Sequence, residues 1–260
     1  MLFGCDYSGN SDAICKNNPE ICADLHHDSW CFYEKGDLIR QRYQLKQTPL
    51  PTGKQVYRQL TLLEDYNHCI ELAAGVKHII HKERTNDRAR AFGLSSQSLA
   101  RLQASIQSSQ DPYLVYYRWS RFNDQAALNL LLTAQAEGKI TDPQLLAPMA
   151  AYYLKSDPAR AKALYLEVFS IASPSEFDPD WLLGLASLYR QQQDLEKTYL
   201  LSKANVLMSK QKVSQPQMLA LLNGNKELAQ MLDQEAQQLV DSISSGDFKH
   251  SRFLTLLAKD

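Results

Sequence analysis

The motifs that announce a hydrolase, a metalloprotease or a nucleotide-binding enzyme are missing from this sequence. It holds no G-x-S-x-G elbow, no H-E-x-x-H, no C-x-x-C and no P-loop. No apolar run reaches the roughly 18 residues that a bilayer-spanning helix needs. Glycine and proline are scarce, 10 each, and fall at punctuation points rather than in linkers. Neither sign of charge dominates: 28 Lys and Arg stand against 29 Asp and Glu, so bulk electrostatics excludes a general nucleic-acid binder. What remains is an ordinary globular composition, 44% hydrophobic and 22% charged over 260 residues, enough for one large domain or two small ones. The expectation is a protein that binds rather than catalyses and that needs no cofactor.

Cysteine is present in an uneven pattern. Cys5, Cys15, Cys22, Cys31 and Cys69 all fall near the start of the chain, and none follows. Leu2-Phe3-Gly4-Cys5 resembles the lipobox of bacterial lipoproteins, in which the chain is cut before Cys and the thiol is acylated. Only four residues precede Cys5, so either the start lies upstream or the signal front has been trimmed. With Cys5 assigned to a lipid, an even number of clustered cysteines remains. That is the signature of a local disulfide framework in an oxidising compartment. Residues 6–30 are polar and irregular, and cystines would hold them to the body at low entropic cost.

Two helices are expected over 31–48 and 54–76, separated by the break Thr48-Pro49-Leu50-Pro51-Thr52-Gly53. Helices joined by so short a break fold back antiparallel. Cys31 then lies about 20 residues before the turn and Cys69 about 18 after it, so at ~1.5 Å per residue both reach the same height. Four cysteines allow three pairings. The hairpin favours Cys31–Cys69, leaving Cys15–Cys22. Residues 77–101 are rich in Lys and Arg and read as a solvated connector, with an anion-facing patch as the alternative.

Internal repetition begins near residue 111. Tyr117, Tyr153 and Tyr189 recur at intervals of 36, as do Asp142-Pro143 and Asp178-Pro179. Leu146, Met149 and Ala150 find counterparts in Leu182, Leu185 and Ala186 at the same offset. This period and pattern resemble the tetratricopeptide (TPR) helical hairpin, in which small residues let helices approach and larger ones fill the neighbouring repeat. The expected fold class is therefore all-α: a TPR-like helical-hairpin array behind a disulfide-stapled N-terminal segment. The expected division is a lipobox remnant at 1–5, a cysteine-bearing segment at 6–110, and repeats at 111–260. Within the last, 215–258 would cap the array.

Candidate sites are few. His78, His81 and Glu83 could share a helix face as metal ligands, and Cys22, His26, His27 and Cys31 form a second metal or redox candidate. Chance spacing and cystine formation argue against each, so no metal is expected. Tyr113, Tyr116 and Trp119 exceed what the repeat pattern demands, and aromatics are favoured interface residues. They are the candidate surface for a protein or peptide partner.

Several blocks resemble a family of Gram-negative lipoproteins classed as a domain of unknown function. They are Ile14-Cys15, Asn18-Pro19-Glu20, Cys22-Ala23-Asp24-Leu25, Asp28-Ser29-Trp30-Cys31, Cys69 to Val76, Asp111-Pro112-Tyr113-Leu114 and Tyr117-x-Trp119-Ser120-Arg121. The resemblance implies lipidation at Cys5, four further cysteines and a TPR-like body, and it implies no activity. It places the chain on the periplasmic side of a membrane, where Asp6 after the lipidated cysteine leans towards the inner one. The function expected is a lipid-anchored interaction scaffold, with metal or redox handling by the Cys/His segment as the alternative.

Overall fold

A computed structural model describes residues 10–209 and 212–259. Among these the chain forms fourteen α-helices, a single 3₁₀ turn and no strand. It divides into two compact units, 1–131 and 132–260.

The N-terminal unit is built on three long helices. α1 (Ser11–Asn17) and α2 (Pro19–Cys22) lead to α3 (Phe32–Lys46), α4 (Gly53–Ala74) and α5 (Lys82–Ser105), followed by α6 (Pro112–Phe122). Asn10 caps α1 by accepting from the Asp12 and Ala13 amides. Thr52 opens α4 with a reciprocal capping box: its hydroxyl accepts from the Gln55 amide while the Gln55 side chain accepts from the Thr52 amide. Asp111 caps α6, with Pro112 at the first helical position. α4 packs on α3, α5 and α6. Its inward stripe, Leu63, Tyr66, Ile70 and Ala73, meets Leu38 and Ile39 of α3 and Ala91 of α5, with Ile14, Ile21 and Leu25 laid over them. Lower on the same helix Leu60 meets Ile106, Leu114 and Tyr117. A Cβ on Gly53 would strike the Asp111 carboxylate, so the starts of α4 and α6 lie side by side because position 53 has no side chain.

Of the connector expected at 77–101, residues 77–81 are a loop, but the rest belongs to α5. α5 is a buried-faced helix whose inner stripe is Arg88, Ala91 and Ser95, with Leu99 and Leu102 partly buried. Small and polar residues carry most of that face, so apolar periodicity does not reveal it.

α7 (Gln125–Ala136) spans the division. The C-terminal unit contains α8 (Pro143–Tyr153), α9 (Pro158–Ile171), α10 (Asp180–Gln191) and α11 (Leu195–Ser209). α8 packs on α9, α10 on α11, and α10 on α9, which makes two stacked helical hairpins. The repeat residues are the packing residues: Leu146, Met149, Ala150, Leu182, Leu185, Ala186 and Tyr189 are all buried. Asp142 and Asp157 cap α8 and α9 and precede prolines, and Asp194 accepts from the Lys197 amide at the start of α11. Gly184 lets α10 approach α9, because a Cβ there would meet the Tyr165 hydroxyl. α12 (Gln215–Ala220) and α13 (Lys226–Ser244) follow, and α13 covers α11 as an end cap. The last helix, α14 (Arg252–Ala258), does not extend that cap. It returns with the Phe248–His250 turn to lie on α9. The Tyr189 hydroxyl donates to the Leu257 carbonyl, and the Lys197 ammonium donates to that of Lys259 at 2.8 Å.

Candidate functional site

The candidate site is a cavity of about 620 Å³ in the N-terminal unit, where the cysteine-bearing segment crosses α3. The segment has little core of its own, and covalent and ionic ties hold it. Cys15 is bonded to Cys22 and Cys31 to Cys69, across 7 and 38 residues. This is the pairing that equal heights on an α3–α4 hairpin favour. Arg42 of α3 grips Asp24 through two hydrogen bonds, 2.6 and 2.8 Å, and donates to the Ile21 carbonyl at 2.7 Å. Arg90 of α5 donates to the carbonyls of Ala23 and Leu25.

The deepest of these ties is Arg88. It is 3% exposed, yet it donates to Asp28 at 2.8 Å and lies 4.6 Å from the centre of the Trp30 ring. Burial pushes the Asp28 carboxyl up, but the Arg88 guanidinium and the Trp30 amide outweigh it and hold the group below its ordinary value. Arg88 reads in the sequence as one of a run of surface cations. Its partner is 60 residues away, so no local pattern identifies it.

His26 is fully engaged. Its Nε2 lies 2.7 Å from the Trp30 carbonyl and therefore carries the proton; its Nδ1, 2.9 Å from the Tyr66 hydroxyl, accepts. Burial lowers its pKa, first among the causes, followed by the nearby Lys35 charge. A histidine whose folded pKa is depressed stabilises the fold fully above its unfolded pKa, near 6.5. That contribution is lost as pH falls from there through the lower folded value. Lys35 donates to the Asp28 carbonyl at 2.6 Å, and burial lowers its pKa too.

The cavity thus has a floor of Leu25, Ile39 and the Cys15–Cys22 cystine and a rim of Asp12, His27, Asp28 and Lys35. Such an arrangement can hold a small amphipathic group. Oxidation occupies the Cys22 and Cys31 sulfurs, and both His26 nitrogens have partners, so these residues do not make the thiolate–imidazole set that their spacing allows. His78 and His81 do not share a site either. α5 begins at Lys82, so both lie in the preceding loop and share no helix face, and His81 pairs with Glu83 at 3.1 Å.

Cys5 and Asp6 lie outside the described residues. Tyr113, Tyr116 and Trp119 come together on α6 around Tyr57 of α4. Ring centroids are 5.5 Å from Tyr57 to Tyr113, 5.9 Å from Tyr57 to Tyr116, and 5.9 Å from Tyr116 to Trp119. Tyr113 is buried in the α4–α6 interface, while Tyr116 and Trp119 keep exposed edges. Burial raises the Tyr57 pKa to about 12 and also raises that of Tyr116.

Fold and site define an all-helical protein with a cystine-stapled N-terminal unit and a hairpin C-terminal unit. The chain belongs to the family described as a protein of unknown function, DUF2989, whose model matches residues 2–203. No curated protein and no solved structure matches the chain.

Proposed function

We propose that this protein is a lipid-anchored scaffold on the periplasmic side of a Gram-negative membrane, tethered through Cys5 and binding a protein or peptide partner through its helical hairpins. The observation that carries the reading is the pair of cystines confined to the N-terminal segment. Structural disulfides persist in oxidising compartments and are rare where glutathione keeps thiols reduced. Among the described residues, the segment that the cystines hold buries only Ile14, Ile21 and Leu25 as large apolar groups before Cys31. The stacked α8–α11 hairpins support the second half of the proposal, because such hairpins display side chains such as Leu183 along one face for a partner to read. Binding rather than catalysis is the proposed mode.

The test is the intact mass of the membrane-extracted protein, expressed from an upstream start, before and after reduction and alkylation. The expected result is a chain beginning at acylated Cys5 that takes up no alkylating agent until reduced. An unprocessed chain with five free thiols would overturn it.

One observation favours a redox-handling alternative: the Cys15–Cys22 cystine walls an open cavity and is itself partly exposed. Selective opening of that cystine by a mild thiol, with Cys31–Cys69 intact, would support it; equal resistance of both would dismiss it.

A further inference from the structure

Seven large apolar side chains are left in solvent at one end of the N-terminal unit. Ile79 and Ile80 are 89% and 87% exposed, at the tip of the loop 75–81 between α4 and α5. Leu72 stands near the end of α4 and Val76 follows in the loop, both exposed. Phe32 and Tyr33, 62% and 77% exposed, open α3 beside it, because the Cys31–Cys69 bond sets those Cα atoms 5.9 Å apart. Trp30 belongs to the same end: the Arg88 guanidinium that stacks on it also donates to the Ala73 carbonyl. A single exposed leucine or isoleucine is ordinary, whereas a group of this size at one end marks a contact surface.

Charge selects the kind of contact. Lys77, Lys82 and Arg84 are exposed around the two isoleucines; of the nearby carboxylates, Glu83 pairs with His81, Asp28 and Asp87 beside Arg84 are paired with Arg88 and Arg90, and Glu71 lies back on α4. A closed apolar groove on a protein would strip water from these cations. At a bilayer surface the isoleucines enter the acyl boundary while the cations stay with headgroup phosphates and water. Trp30 and Tyr33 are of the type that settles at headgroup level.

We infer that this end of the N-terminal unit docks on an anionic phospholipid bilayer, with Ile79 and Ile80 inserted and Lys77, Lys82 and Arg84 on the phosphates. The inference does not require a lipid on Cys5, but it agrees with one. Ser11 and Phe32 line the same cavity, so α1 starts at this end. The five residue-to-residue steps from Cys5 to Asn10 reach at most about 18 Å.

The test uses the full chain with Cys5→Ser, which removes acylation from the readout. Co-sedimentation is measured with phosphatidylglycerol–phosphatidylethanolamine vesicles and with phosphatidylcholine vesicles. The expected result is partition onto the anionic vesicles alone, weakening with salt. Ile79→Ser/Ile80→Ser should lower that partition at least ~10-fold with unchanged thermal unfolding, since both side chains lie in solvent. Absence of binding to anionic vesicles, or binding that the double variant leaves intact, would overturn the inference. So would self-association that the double variant abolishes, which would assign the surface to a second copy of the chain. These readouts are independent of the mass measurement above, so failure of either reading is visible without the other.

Discussion

The two cystines close loops of very different length, and that difference fixes an order of stabilities. On the chain-entropy account, a loop of 38 residues removes enough unfolded-state freedom to stabilise by about 4 kcal/mol, and one of 7 residues by about 2 kcal/mol. The folded segment has other ties, Asp24–Arg42 and Asp28–Arg88, so it stays docked when either bond is removed, and the loss falls on the unfolded state. The perturbations are Cys31→Ala/Cys69→Ala and Cys15→Ala/Cys22→Ala, each compared with the oxidised wild-type chain, and the fully reduced wild-type chain, which keeps the side chain of buried Cys31, serves as the control for lost packing. The assay is amide hydrogen exchange at Leu63, Tyr66 and Ile70, deep in α4, where exchange requires the unit to open as a whole. Protection should fall by roughly three decades for the longer loop and by under two for the shorter. Equal losses, or a larger loss from the Cys15–Cys22 removal, would refute the entropic account and place the stabilisation in native contacts instead.

The remaining predictions concern buried polar groups and close approaches. Because burial depresses the His26 pKa, stability of the N-terminal unit should fall as pH drops below about 6.5, by at most ~1.4 kcal/mol per pH unit from this group. Urea titrations at pH 7 and pH 5 should show that difference shrink in His26→Gln; an undiminished difference would assign it elsewhere. Gly184→Ala drives a methyl into the Tyr165 hydroxyl and should cost about 1–3 kcal/mol in denaturant unfolding, with Tyr165→Phe restoring part of it. If the pair is no better than the single change, the close approach is not the cause. Tyr189→Phe leaves the Leu257 carbonyl without its donor and should cost about 1–3 kcal/mol. Exchange at residues 252–258 should accelerate first; no change there would mean that α14 is held by its apolar face alone.

The hairpins of the C-terminal unit are legible in one dimension because each side chain there has a local task. Asp142-Pro143 and Asp157-Pro158 start helices, and Ala150 and Ala186 set the approach distance. The cystine pairing is legible for a similar reason, since a break midway between Cys31 and Cys69 makes them level. α5 is not legible. Its buried stripe of Arg88, Ala91 and Ser95 lacks the large apolar period that marks an amphipathic helix, and it holds position through Asp28 and through Asn67, which donates to Ser95 and Ser96. The rim of the cavity, from Asp12 to Lys35, is equally hidden, because nothing in the sequence says which polar residues of an irregular segment turn inward.

Burial partners divide the readable from the unreadable more sharply than burial itself. Tyr113 and Tyr116 look like surplus aromatics until Tyr57 is known to stand opposite them on α4. The apolar face of α14 marks Phe253 and Leu257 for the interior, and both are buried. Yet periodicity is silent on whether that face closes the end of the array or returns to α9, as it does. The converse holds for Ile79 and Ile80. Between His78 and His81 they read as any short apolar run, and a helix register extended back from Lys82 would have assigned them a core. What removes them from the core is their place in the loop between the end of α4 at Ala74 and the start of α5 at Lys82; the Cys31–Cys69 bond brings Phe32 and Tyr33 to the same edge. An exposed apolar surface of that origin costs solubility and adds nothing to the core, which is the physical ground for reading it as a docking surface.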